Sequence, residues 1–207
     1  MVKDLKEKDL VLEIALKLRD RIKSAMPVVM TRQDDTFVTL DDRVVDAVDW
    51  HGALFVSIHA NKVRDKNRWG AVVYSYGPQP RRHRAGRRRR RRRHLRHKVP
   101  PMPAPPRVDA RESEYLAGSM VRSLRGEGIR VEEAKADYYV LKNPAQPSIL
   151  IELGYISNAA EEARLKDPAY QEKLVDAMAK AIEEYDSDRS LRAENAAVAP
   201  AQPPARL

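Results

Sequence analysis

The chain has 207 residues, of which 43% are hydrophobic, enough for one domain with a real core and some excess. It contains no cysteine, which excludes disulfides and thiolate metal sites while leaving the redox compartment open. Lysine and arginine total 39 against 30 acids, for a net charge of +9, but eleven of those arginines and one lysine fall within residues 81–98, where there is no acid. The rest of the chain therefore carries −3, and a nucleic-acid-binding surface spread over the whole fold is excluded.

The N-terminus, Met1 to Asp9, is charged throughout and has no apolar signal-peptide core. No stretch of the chain approaches the roughly 18 apolar residues of a membrane span. From Leu5 to Lys23, Leu10, Val11, Ile14, Leu18 and Ile22 recur at helical spacing and predict an amphipathic helix. Glu7 falls on that apolar stripe. Either it has a partner, because an unpaired buried charge is costly, or it is solvated in the first turn, where acids meet the helix dipole favourably.

Pro27 to Thr31 reads as a strand. Thr39 is the expected N-cap of a helix that continues through Val44, Val45, Ala47 and Val48 and stops at His51-Gly52. The run Leu54-Phe55-Val56-Ser57-Ile58 is short, apolar and rich in β-favouring residues, and it ends abruptly in His59-Ala60-Asn61. Trp69 to Tyr76 alternates and predicts a further strand. Strands interleaved with helices point to an α/β fold, a mostly parallel sheet with helices on both faces.

Residues 77–110 interrupt this order with Arg87 to Arg93 and the prolines 100, 101, 103, 105 and 106. With almost nothing to bury, the segment is expected to be a disordered insertion. It is an inert linker, a frame-shifted stretch, or a non-specific polyanion binder, since it has no aromatic residues for base stacking. Order resumes near Glu112 with a helix through Tyr115, Leu116, Met120 and Leu124. Tyr138 to Leu141 reads as extended, and Ser148-Ile149-Leu150-Ile151-Glu152-Leu153-Gly154 as a buried strand. Asn158 with Glu161 suggests a helix cap. A last helix is expected from Asp167-Pro168 to Tyr185, and 187–207 is expected to be a loose tail. One domain over 1–186 results.

In open α/β sheets the ligand site lies beyond the carboxyl ends of parallel strands. His59 and Glu152 each close an apolar strand, so parallel strands would deliver both to one edge. An imidazole and a carboxylate are half of a hydrolytic zinc site, which has three protein ligands and an open position for water. A second carboxylate would serve as general base. The plain alternative is that His59 is a satisfied structural residue at a strand end.

Five runs are similar, in order and spacing, to the motif series of the zinc-dependent N-acetylmuramoyl-L-alanine amidases of bacterial cell walls. They are Leu5 to Leu10, Met30-Thr31-Arg32, Leu40-Asp41-Asp42-Arg43, Leu54 to Asn61 and Ile149 to Asn158. The resemblance covers about residues 2–76 and 111–186. It implies that Glu7 and His59 bind Zn2+, that Glu152 is the catalytic carboxylate, and that Asn61 contacts substrate. The substrate implied is peptidoglycan, cleaved between the lactyl group of N-acetylmuramic acid and L-alanine, in the periplasm or outside the cell. That family also has an earlier strand ending in a His-Gly-Gly loop whose histidine is the first zinc ligand. The matching runs here start after it, so the expectation is an N-terminally truncated amidase one ligand short. A non-catalytic relative that binds glycan or regulates a partner is the alternative.

Overall fold

The computed structural model describes residues 5–77 and 107–198. Helix α1 (Glu7–Ile22) buries Leu10, Ile14, Leu18 and Ile22, the predicted stripe. In α2 (Leu40–Asp49) the Thr39 side chain accepts from the Asp42 backbone N–H, capping the first turn as its position suggested. The strands are β1 (Phe55–Asn61), β2 (Ala71–Tyr76), β3 (Val131–Ala136) and β4 (Ser148–Tyr155), and the helices α3 (Arg107–Gly126), α4 (Ala159–Lys166) and α5 (Pro168–Val198) complete the set.

The strands form one sheet in the order β1-β4-β2-β3. β1 runs parallel to β4 and β2 parallel to β3, while β2 and β4 are antiparallel. Side chains alternate across the pleat. Ile149 and Ile151 join the larger core with α1, α3 and α5. Leu150 faces the other way, into a smaller core with Val44 of α2, Ala136, Val140 and Leu141. The sheet is thus mostly parallel with helices on both faces, as expected.

Several expectations need correction. Residues 27–31 do not form a strand. A strand needs a ladder partner, and the edge of β1 that faces this segment opens instead onto a cleft of about 910 Å³ lined by both. Tyr139–Lys142 is a 3-10 turn rather than an extended piece. At the end of α2 the left-handed residue is His51, with φ 52°, so the reversal is made one residue before the glycine.

Strand β3 was not foreseen. Its sequence, Val-Glu-Glu-Ala-Lys-Ala, has little β propensity, but charged side chains suit a sheet edge that must not pair further. Helix α3 begins at Arg107, inside the span expected to be disordered, because no proline follows Pro106 to stop it. Helix α5 runs on to Val198 instead of ending at Tyr185. Neither glycine nor proline occurs between Tyr185 and Val198. The extension also docks on α3, where Tyr115 donates to Asp188 at 2.7 Å and Arg192 pairs with Glu112 at 2.9 Å. The arginine run at 87–93 and the tail beyond 198 lie outside the described residues.

Candidate active site

The parallel register of β1 and β4 makes His59 and Glu152 direct partners. Both strands end at the same rim of the sheet, and α1 starts there. Glu7, in its first turn, places Oε1 3.0 Å from His59 Nδ1. The same oxygen accepts from the Ala60 backbone N–H at 3.4 Å. Glu7 therefore has a partner, and the reading in which it is merely solvated is set aside. The second ring nitrogen, His59 Nε2, lies 3.1 Å from Ser57 Oγ, two residues back on the same face of β1.

Glu152 differs in environment. It is largely enclosed, and among the described residues its Oε2 is buried with no hydrogen-bond partner. Burial pushes its carboxyl up to about 7; the His59 ring opposes that rise and the Glu7 carboxylate adds to it. Glu7 moves the other way, lowered chiefly by the hydrogen bond from His59 against the cost of burial. Two carboxylates at one rim are thus separated in acidity by their surroundings, a pattern that suits acid and base work by one of them.

Carboxylate and imidazole are donors that suit zinc in kind, and the unpartnered oxygen of Glu152 is the sort of group a bound water would satisfy. In number they fall one short of a three-ligand catalytic site. Among the described residues no three His, Cys, Asp or Glu side chains are gathered to hold an ion. His51 precedes β1 and sits at the end of the strand away from His59, so it supplies no third donor.

The other matching runs frame the rim. Arg32 donates to the Lys8 carbonyl at 2.6 Å and to the Asp34 carbonyl at 2.8 Å, fixing the loop after residue 31 against the start of α1. Lys8 pairs with Asp35 across the same junction. Arg43 reaches Thr31 Oγ1 at 3.3 Å. Asn61 ends β1, its backbone carbonyl accepting from Ile156 N at 2.9 Å.

Residue-by-residue reading missed Tyr74 and Tyr138, whose rings meet edge to face at 5.2 Å. Both hydroxyls are raised by burial first and also by the nearby Glu152 charge. Tyr74 lies on the same face as Glu152, a fact that strand alternation gives only once the register is known. Glu161 was read as a capping residue. It is instead 3% exposed, accepting from the Gly70 N–H at 2.8 Å and from Arg164 at 2.8 Å. The cap is made by Asn158, which accepts from Ala160 N and Glu161 N.

A family described as N-acetylmuramoyl-L-alanine amidase, Amidase_3, matches residues 1–184. The chain belongs to this family. It is 29% identical over 203 residues to the N-acetylmuramoyl-L-alanine amidase AmiC of Escherichia coli, covering 88% of this chain and 48% of AmiC. Against the uncharacterized protein YqiI of Bacillus subtilis the identity is 30% over 181 residues, covering 86% of this chain and 74% of YqiI. The chain therefore spans about half the length of AmiC. Among solved structures, the catalytic domain of the amidase CwlV from Paenibacillus polymyxa superposes with a TM-score of 0.68 at 28% identity, covering 87% of this chain and 85% of that one. The CwlD amidase of Clostridioides difficile, solved with the GerS lipoprotein, gives a TM-score of 0.68 at 26% identity, covering 90% and 89%.

Proposed function

We propose that the chain is the catalytic domain of a cell-envelope hydrolase that cleaves peptidoglycan between N-acetylmuramic acid and L-alanine. The observation that carries this reading is the Glu152 Oε2, buried and without a partner among the described residues, beside the hydrogen-bonded Glu7–His59 pair. A group with a pKa near 7 is populated in both protonation states at neutral pH. Glu152 can accordingly take a proton from an attacking water and pass it to the departing amine. Glu7 and His59 are the residues proposed to hold Zn2+, which when bound would polarise the amide carbonyl and acidify water. Glu7 also fixes the plane of the imidazole, and Asn61 borders the place where substrate enters.

The donor count favours a second reading, a relative that binds its glycan without turning it over. Purified sacculi incubated with the zinc-supplemented protein separate the two. Newly freed amino groups on alanine, stoichiometric bound zinc, and loss of both with His59→Ala support the hydrolase. Zinc-free protein that retains sacculus binding but liberates no alanine amine supports the second reading and sinks the first.

A further inference from the structure

Because β2 and β3 run opposite to β1 and β4, the rim holding Glu152 also holds the starts of β2 and β3. Val72, the second residue of β2, is the antiparallel partner of Glu152. Partners in such a pair share a face with Cβ atoms about 5 Å apart. Val72 also lines a small cleft of about 130 Å³ with Arg68, Trp69, Arg130, Glu132 and Tyr155. This cleft opens one strand over from the Glu152 carboxyl.

Its walls are fixed by backbone anchors. Gly70, at φ 90°, sits where a Cβ would come within 3.0 Å of the Arg130 carbonyl. Its N–H is held by buried Glu161, and the Arg68 carbonyl accepts from the Asn158 side chain at 3.2 Å. On this base the Arg130 guanidinium stacks 4.1 Å from the Trp69 ring centroid. Arg68 donates to the Tyr155 hydroxyl at 3.3 Å and, among the described residues, pairs with no carboxylate. Arg130 has only a long contact to Glu132, 3.6 Å, with both side chains about half exposed. Two arginines thus line one cleft, with Glu132 as the one acid among its walls.

Resting on the amidase reading, we propose that this cleft is a carboxylate-binding subsite for the peptide on the amine side of the scissile bond, with Arg68 and Arg130 as its specificity-determining residues. The acyl side of that bond is a lactyl ether on a neutral N-acetylated sugar, which gives paired guanidiniums nothing to bind. The peptide side carries acids. An acidic residue second from the bond lies about 7 Å along an extended chain, within reach of a cleft one strand away. Arg130 covers one face of the Trp69 ring. Planar guanidiniums match carboxylates in geometry and form the stronger, charge-assisted hydrogen bonds.

The test is calorimetric binding of two probes to the zinc-free full chain, which leaves their muramoyl–alanine bond intact: N-acetylmuramoyl-L-alanyl-D-glutamate and the same compound with both glutamate carboxyls amidated. The acid is expected to bind about tenfold more tightly. Arg68→Ala and Arg130→Ala should each reduce that ratio while leaving affinity for the amidated probe within about twofold, and the lysine variants should restore part of it. Equal binding of both probes, or a ratio that survives in the double alanine variant, overturns the subsite while leaving the amidase reading intact. Free glutamate binding as tightly as the muramoyl acid overturns the assignment to peptide in favour of a general anion site. Binding of neither probe overturns both the subsite and the reading it rests on.

Discussion

A carboxyl that stays protonated to about pH 7 in the folded state weakens the fold once it ionises. Between about 4.5 and 7, folded Glu152 keeps a proton that the unfolded chain has released, so its contribution to stability falls as pH rises across that window. Glu152→Gln is therefore expected to stabilise the metal-free protein at pH 8, on the order of 2–3 kcal/mol, and to do little at pH 4. Urea midpoints at the two pH values measure this. The same variant should lose at least a hundredfold in amide hydrolysis, assayed on sacculi. Glu7 has the opposite sign. Its lowered pKa lends stability above the unfolded value that disappears as pH falls through the folded one, so Glu7→Gln should cost stability at pH 7 and little in acid. At this scale strand patterning singled out His59 and Glu152, left Glu7 open between a partnered and a solvated carboxylate, and only the resemblance to a family implied a shared role for the three. The sequence did not disclose Ser57, Tyr74 or Glu161, because a serine, a tyrosine and a helix-start acid look ordinary until register and burial are fixed. Glu161→Ala leaves Gly70 N–H and the Arg164 guanidinium without their buried acceptor and should destabilise by about 2–3 kcal/mol, read from thermal melts. Gly154→Ala should act through the same group, since a Cβ there meets Glu161 Oε2 at 2.8 Å.

Among the elements, β1 has one edge paired with β4 and one with no strand beside it among the described residues. Backbone N–H groups alternate between the two edges of a strand. Phe55 N donates toward the β4 side, to the Pro147 carbonyl at 2.8 Å, so Ser57 and His59 do too, whereas Val56 and Ile58 point toward the cleft. Amide hydrogen exchange should accordingly be slow at 57 and 59 and fast at 56 and 58, with Ala60 intermediate because Glu7 accepts from it. Uniform protection along β1 would contradict this arrangement. Helices α1, α2 and α4 and strands β1, β2 and β4 were legible because periodicity, capping residues and apolar runs all agree there. The exceptions have physical causes. Residues 27–31 have the composition of a strand but no partner. β3 has a partner but not the composition. The last turns of α5 are held by contacts with Tyr115 and Glu112 that no local pattern encodes.

For the molecule as a whole, charge and fold are separable. Deleting residues 81–98 changes the formal charge from +9 to −3. The full chain should bind a polyanionic resin and elute later with each reduction in salt, and the deleted chain should flow through. If the deletion keeps the binding, the basic segment is not its source. The order of the chain also sets which loops border the rim. Connections that follow β1 and β4 and those that precede β2 and β3 meet there, and only the first kind is foreseen when a sheet is expected to be parallel.

The open cleft beside β1 has a practical consequence for anyone handling this protein. Its walls include Leu18, Ile22, Val28, Leu54 and Val56, and Phe37 and Trp50 stand exposed at its border. An environment-sensitive fluorophore such as anilinonaphthalene sulfonate should light up on the native chain at room temperature. Dye-based melting curves will then start from a high baseline and mimic a molten state, while near-ultraviolet circular dichroism of the same sample reports fixed aromatic packing.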